Sequence, residues 1–208
     1  MEPVEIFLAS RNAKKLAEMQ RILGAVVPGL RVLGLDDVPS YDEPVEDQPD
    51  FAGNALLKAR AGFEVSGLPS LADDSGLCVD ALNGMPGVLS ARWSGPPKDD
   101  DRNNALLLAQ LEDVPDERRV AEFRCAVALV SRDAGGAVVE HLVEGVMRGR
   151  VIRERRGTGG FGYDSLFVPD DQAGDLTGGE LAPAEKDAIS HRGRALRAIA
   201  PVIAELLG

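Results

Sequence analysis

An apolar run at the start of the chain, Val4-Glu5-Ile6-Phe7-Leu8-Ala9, leads through the polar turn Ser10-Arg11-Asn12 into apolar residues at helical spacing, Leu16, Met19, Ile22 and Leu23. The run reads as a buried strand and the spacing as the inner face of an amphipathic helix. A strand that feeds a helix through a short loop is the opening unit of an α/β fold. Such a loop also points backbone N–H groups and a helix N-terminus at whatever binds there.

The alternation continues along the chain. Residues 31–35 read as a second strand, and residues 36–50, acidic and proline-bearing, as a loop. Asp50 can cap a helix carrying Asn54, Leu57, Lys58 and Ala61 to about residue 65. Leu71-Ala72 leads into Asp73-Asp74-Ser75-Gly76, read as a tight turn, and Leu77-Cys78-Val79 returns as a strand. Asn83-Gly84-Met85-Pro86-Gly87 is turn chemistry. Asp101 is placed as the cap of a helix carrying Leu106, Leu107, Leu108 and Leu111. Residues 122–130 read as a long buried strand, turned by Asp133-Ala134-Gly135-Gly136 into a hairpin with Val138-Val139. Residues 157–162 are glycine-rich, and a short strand follows at residues 165–168. The tail has helical periodicity from Arg194 to Leu207, with Pro201 expected to kink or break it. The sum is an α/β protein with two lobes around a cleft, without internal repeats or a linker.

Composition narrows the partners. No apolar run among the 208 residues reaches the length needed to span a bilayer, roughly 18 residues. Met1-Glu2-Pro3 lacks the basic start of a secretory signal, so a cytoplasmic protein is expected. A net charge of −11 repels a phosphate backbone, which argues against a nucleic acid polymer as partner. A small phosphorylated ligand remains compatible if a metal and local basic residues offset that charge. Cys78 and Cys125 lie in apolar stretches without metal-ligand spacing and are expected to be buried free thiols.

Four segments carry chemistry-bearing residues. Asp73-Asp74-Ser75-Gly76 sets two carboxylates side by side; ordering them calls for a cation or a shared proton, and hard oxygen ligands suit Mg²⁺. Alone, it reads as well as an inert Asx turn. Ser10-Arg11-Asn12-Ala13-Lys14-Lys15 has the logic of a phosphate loop without the Walker A pattern; alone it is a plain βα turn. In Gly159-Gly160-Phe161-Gly162-Tyr163-Asp164, flanking glycines free an aromatic ring for a flat ligand, with Asp164 as acceptor; the alternative is a hairpin with a core Phe. Glu185-Lys186-Asp187-Ala188-Ile189-Ser190-His191-Arg192 groups Lys186, His191 and Arg192, with Ser190 placed to cap the closing helix; the alternative is a solvated helix start.

Taken together and in this order, with Asn54-Ala55, Lys58-Ala59 and residues 84–92, these segments resemble the inosine triphosphate pyrophosphatase family, whose bacterial members are dITP/XTP pyrophosphatases. The resemblance runs from Leu8 to about Leu196. It implies one pyrophosphatase domain over residues 1–208 with two lobes, an elongated mixed sheet flanked by helices and the active site in the cleft between lobes. It implies hydrolysis of dITP, ITP, XTP and dXTP to the monophosphate and pyrophosphate, with Mg²⁺, in a homodimer. By motif, Asp74 matches the general base and a metal ligand, and Ser75 a substrate contact. Ser10, Arg11, Asn12, Ala13, Lys14 and Lys15 match the phosphate-side loop. Phe161, Gly162, Tyr163 and Asp164 match the base-binding segment, and Lys186, His191 and Arg192 the residues closing over the nucleotide. Glu46 matches the upstream metal ligand, with Asp47 as the alternative. A donor facing C6, Arg192 or His191, would admit a carbonyl and reject the adenine amine. The competing functions are a pyrophosphatase for other modified nucleotides and a catalytically impaired nucleotide-binding regulatory protein.

Three departures stand out. Arg11 and Gly53 replace a usual glycine and a usual acid, and Val146-Met147-Arg148 replaces a Trp-Pro segment.

Overall fold

The computed structural model describes residues 4–206. The reading of Met1-Glu2-Pro3 and the end of the tail helix at Leu207 lie outside them. Six strands, β1 (Val4–Leu8), β2 (Leu30–Leu33), β3 (Ser70–Val79), β4 (Val120–Arg132), β5 (Val138–Val151) and β6 (Phe167–Pro169), form one sheet in the order β2-β1-β3-β4-β5-β6. It is mixed: β1 runs parallel to β2 and β3, with Ile6 opposite Val32 and Leu8 opposite Leu71, whereas β5 and β6 are antiparallel. The helices are α1 (Ala13–Val26), α2 (Phe51–Ser66), α3 (Asp100–Gln110), α4 (Pro183–Ile189) and α5 (His191–Glu205).

The chain divides into two compact units. One holds Met1–Asp74, Cys125–Gly145 and Arg192–Gly208; the other holds Ser75–Arg124 and Val146–His191. In the first unit the strands are apolar on both faces. Ile6, Leu8, Leu71, Cys125, Val127 and Leu129 pack against Met19, Ile22 and Leu23 of α1 and Leu196, Ile199 and Ile203 of α5. The alternate residues Phe7, Ala9, Ala72, Ala126 and Ala128 pack against Ala55, Ala59 and Phe63 of α2. The second unit has its own core of Leu77, Val79, Leu107, Leu111, Phe123, Met147, Tyr163 and Phe167. Met147 thus fills core space in the segment that departs from Trp-Pro.

Small residues let α2 lie close to the sheet. A Cβ on Gly62 would fall on Ser70 Oγ and within 2.9 Å of Phe7 Cε1 and Ala9 Cβ. Gly62→Ala is therefore expected to destabilise by about 1–3 kcal/mol through overpacking, read as a lowered thermal midpoint.

Several sequence expectations change. Asp73-Asp74-Ser75-Gly76 is not a turn; all four residues lie within β3. The cap of α3 is Asp99, whose side chain accepts from Arg102 N at 2.9 Å, and Asp101 is a first-turn residue. Helix α5 runs unbroken through Pro201. Ser190 keeps its expected place directly before α5, and it also ends α4, its N–H donating to Lys186 O at 2.8 Å. Both cysteines are free, but only Cys125 is buried; Cys78 is half-buried. No helix among the described residues is long and apolar enough to cross a membrane.

Candidate active site

Adjacent residues on a strand project to opposite faces. That rule separates the two aspartates, which a turn would have left together. Asp74 follows Ala72 onto the α2 side, and Asp73 follows Leu71 onto the α1 and α5 side. Both are buried, at 1 % and 7 % exposure for Asp73 and Asp74.

Asp74 meets two residues one helical turn apart on α2. Asn54 Nδ2 donates to Asp74 Oδ2 at 2.9 Å, and Lys58 Nζ lies 4.0 Å from Oδ1. Asp50 sets the start of this helix by accepting from Gly53 N at 2.7 Å. Asn54 Oδ1 accepts from Gln48 N at 3.1 Å, tying down the preceding loop. That loop delivers Glu46, whose Oε1 accepts from Lys58 Nζ at 2.5 Å; the same ammonium donates to Asp73 O at 2.7 Å. Asp47 instead accepts from the neighbouring Gln48 side chain. Of the two upstream acids, Glu46 is therefore the one sharing a cation with Asp74. At Gly53 a Cβ would meet Gln48 Cβ at 2.8 Å, so Gln48 occupies the space an acid would need. Burial pushes the Asp74 carboxyl above the ordinary carboxylate range, with Glu46 adding to the rise and Lys58 and Asn54 opposing it. Lys58 is moved the other way by its surroundings: burial disfavours its charge, but Asp73, Glu46 and Asp74 outweigh burial and hold it protonated.

Two carboxylates that converge on one ammonium mark a place where positive charge is stabilised. Magnesium binds through one or two carboxylates and completes its shell with water and phosphate oxygens. Glu46 and Asp74 fit that requirement. No cluster of three or more His, Cys, Asp or Glu that could hold a metal occurs among the described residues.

Asp73 faces a different set. Its Oδ2 lies 3.1 Å from Lys15 Nζ and accepts from Arg192 Nε at 3.1 Å. Arg192 Nη1 also donates to Glu18 Oε2 at 2.6 Å, and the Cys125 thiol approaches Asp73 Oδ2 at 3.8 Å. Burial alone would raise the Asp73 pKa, but Lys15, Arg192 and Lys58 outweigh it and hold the carboxyl well below the carboxylate range. Burial pushes the Cys125 thiol far up, and Asp73 adds to the rise, so this sulfur stays protonated.

The loop before α1 closes on itself. Ser10 Oγ accepts from Asn12 N at 3.3 Å, and Asn12 Oδ1 caps α1 by accepting from Lys14 N and Lys15 N at 3.0 and 3.3 Å. Ala13 opens the helix, and Lys14 is exposed. Arg11, largely exposed, lies 3.2 Å from Glu43.

In the second unit, Ser75 is half-buried within β3. Asp164 Oδ2 accepts from Phe161 N at 2.8 Å and from Lys186 Nζ at 2.6 Å. That ammonium lies 5.3 Å from the centre of the half-buried Phe161 ring. Tyr163 is a core residue whose hydroxyl donates to Ser90 O at 2.9 Å. The His191 imidazole stacks on Phe123, with ring centres 4.9 Å apart and planes at 11°.

Residues 6–202 match the Ham1 family over nearly the whole chain. The chain belongs to the Ham1 family. It is 60 % identical over 207 residues to a Nocardia farcinica protein named dITP/XTP pyrophosphatase, covering 99 % of this chain and 98 % of that one. A Mycolicibacterium paratuberculosis protein of the same name is 60 % identical over 202 residues, covering 97 % and 96 %. The crystal structure of a dITP/XTP pyrophosphatase from Mycobacterium abscessus superposes with a TM-score of 0.73 at 55 % identity, over 95 % of this chain and 100 % of that one. A HAM1 protein from Coxiella burnetii superposes with a TM-score of 0.82 at 40 % identity, over 97 % and 99 %. The mixed sheet flanked by helices is thus the Ham1 fold, and the α/β expectation holds.

In this Ham1 chain the first unit brings together Lys15, Glu46, Asp74 and Arg192, and the second Phe161, Asp164 and Lys186. Arg192 is not a surface donor. It is 1 % exposed, with Nε and Nη1 given to Asp73 and Glu18, so it acts here as the centre of a buried ion-pair set. Asp164 is likewise held by its own loop and by Lys186. Sequence reasoning noted Asn54 and Lys58 as motif residues without assigning them a role, and it missed Glu18. Two polar residues spaced i, i+4, each followed by a small residue, Ala55 and Ala59, were the available signal for the first two. Nothing local marked Glu18, which reads as an ordinary polar residue of an amphipathic helix.

Proposed function

We propose that this chain hydrolyses the α–β phosphoanhydride of dITP, ITP, XTP and dXTP, giving the nucleoside monophosphate and pyrophosphate and clearing deaminated purines from the nucleotide pool. The observation that carries this reading is the convergence of Glu46 and Asp74 on one cation position, framed by Asn54 and Lys58, in a chain with Ham1 relatives of that name along its whole length.

Glu46 and Asp74 would hold Mg²⁺, which supplies charge neutralisation on the phosphates. Asp74 accepts a hydrogen bond from the attacking water and orients it. Asn54 fixes the rotamer of Asp74, and the Lys58 charge opposes the rise that burial causes in the Asp74 pKa. Lys15 adds positive charge on the phosphate side, together with Ser10, Arg11, Asn12, Ala13 and Lys14 of its loop. Ser75 is assigned a substrate contact. Phe161 offers a ring face to the base, set by Gly162, Tyr163, Asp164 and Lys186. The donor that meets the C6 carbonyl is assigned to Arg192 or His191, as the family resemblance implies. An amine at C6 would leave two donors facing each other, which rejects adenine. The protein is assigned to the cytoplasm on its sequence and as a homodimer on the family resemblance; light scattering at the mass of one 22.1 kDa chain would overturn the dimer.

The purified protein is expected to release pyrophosphate from dITP and XTP in Mg²⁺ at least about 10²-fold faster, in kcat/KM, than from dATP. Chelation with EDTA should abolish turnover and Mg²⁺ should restore it. Equal rates on all purines would reject the base assignment. Tight nucleotide binding without turnover would identify a regulatory binding protein instead.

A further inference from the structure

The residue between Phe161 and Tyr163 is held by a helix that the function above leaves unused. Gly162 takes a left-handed conformation, φ +60°. Its N–H donates to Asp100 Oδ2 at 2.8 Å, and its carbonyl accepts from Asn104 Nδ2 at 2.9 Å. Asp100 and Asn104 lie one turn apart at the start of α3, and Asn104 Nδ2 also donates to Asp100 O at 2.6 Å. Both polar atoms of a single glycine are therefore clamped by one helical turn. Alongside, Arg155 bridges Asp101 of the same turn to Ser165 Oγ.

Asn104 is fully buried, and its Oδ1 has no hydrogen-bond partner among the described residues. A buried acceptor left unpaired is unfavourable. An asparagine kept in the core under that penalty is explained by what its amide donates to. Phe161 N is fixed to Asp164 and Tyr163 to Ser90, so the clamp on Gly162 completes the tethering of residues 161–164, with the Phe161 ring half-buried beside the Lys186 ammonium.

We infer that Asp100 and Asn104 are positioning residues for base recognition: they set the Gly162 backbone so that the Phe161 ring is presented in one orientation. This rests on the assignment of Phe161 to the base. Asp100→Ala should raise KM for dITP about tenfold, the loss of one charge-assisted hydrogen bond, with kcat within about twofold of wild type. Asp100 is exposed, so this variant is expected to fold. Asp100→Asn retains an acceptor for Gly162 N–H and should restore KM, whereas a role through helix charge alone would not be rescued. In a Phe161→Ala background, Asp100→Ala should add nothing to KM. The inference is overturned if wild type turns over dITP and Asp100→Ala leaves KM unchanged or lowers only kcat. It is also overturned if the two substitutions act additively. If Phe161→Ala itself leaves KM unchanged, the base assignment fails, and the positioning role fails with it.

Discussion

Asp74→Asn is expected to release pyrophosphate from dITP about 10³-fold more slowly than wild type, or less, and to melt at or above the wild-type temperature at pH 7. The activity loss follows from removing a metal ligand that also orients the water. The stability gain follows from linkage. Burial raises the Asp74 pKa in the folded protein, so the folded state binds its proton more tightly than the unfolded state. Ionised Asp74 therefore opposes folding once pH has risen through the folded pKa, and a neutral isostere removes that opposition. Asn54 can still meet an amide oxygen at the same place. The paired measurement is a thermal melt and a pyrophosphate assay on one preparation. A clear fall in melting temperature would show that Lys58 depends on Asp74 more than burial penalises it. Retained turnover would remove Asp74 from its central role.

Its neighbour should behave in the opposite way. Asp73→Asn is expected to lower stability by about 3–5 kcal/mol, a fall in melting temperature on the order of 10 °C. The substitution leaves Lys15 and Arg192, both drawn to one carboxylate, with Glu18 as the remaining acid at Arg192. Here the folded pKa lies well below the unfolded value of 3.8, so the contribution is present above that value and is lost as pH falls through the folded pKa. The difference between wild type and variant should therefore hold from pH 8 to pH 5 and narrow in strong acid. Melts across that range decide it; a variant as stable as wild type at pH 7 would show that the ion-pair set is balanced without Asp73. The two adjacent aspartates are thus expected to differ, one substitution lowering stability and the other not. The difference comes from their partners: Asp73 faces Lys15 and Arg192, while Asp74 has Lys58 at 4.0 Å and the acid Glu46 nearby.

Much of this was legible in the chain itself. The β1–α1 unit, the α2 cap at Asp50, the hairpin turn at Asp133 and the long β4 strand depend on local periodicity and on side chains that bond the nearest backbone. Asp133 Oδ1, for example, accepts from Gly135 N and Ala137 N within its own turn. Family-level chemistry was legible too, because order and spacing of motifs survive without coordinates. The turn read at residues 73–76 was the consequential miss. Asp, Ser and Gly are turn formers by local preference, but residues 73–76 lie in the part of β3 beyond its pairing with β1 at Ser70 and Leu71, where β3 still neighbours β4 in the sheet, and sheet context overrides the preference.

From residues alone, the chain's α/β class and its family motifs, the Asp73-Asp74 pair among them, could be read, since these rest on periodicity and on neighbours in sequence. The division of labour within that pair could not. It depends on which face of β3 each carboxylate takes and on partners far away in the chain: Arg192 for Asp73, and Asn54 and Lys58 for Asp74. The same holds for Arg192, read from sequence as a nucleotide contact and found buried between Asp73 and Glu18. A charged side chain has no local signature of burial; the acids that make its burial tolerable are gathered only when α1, β3 and α5 pack together.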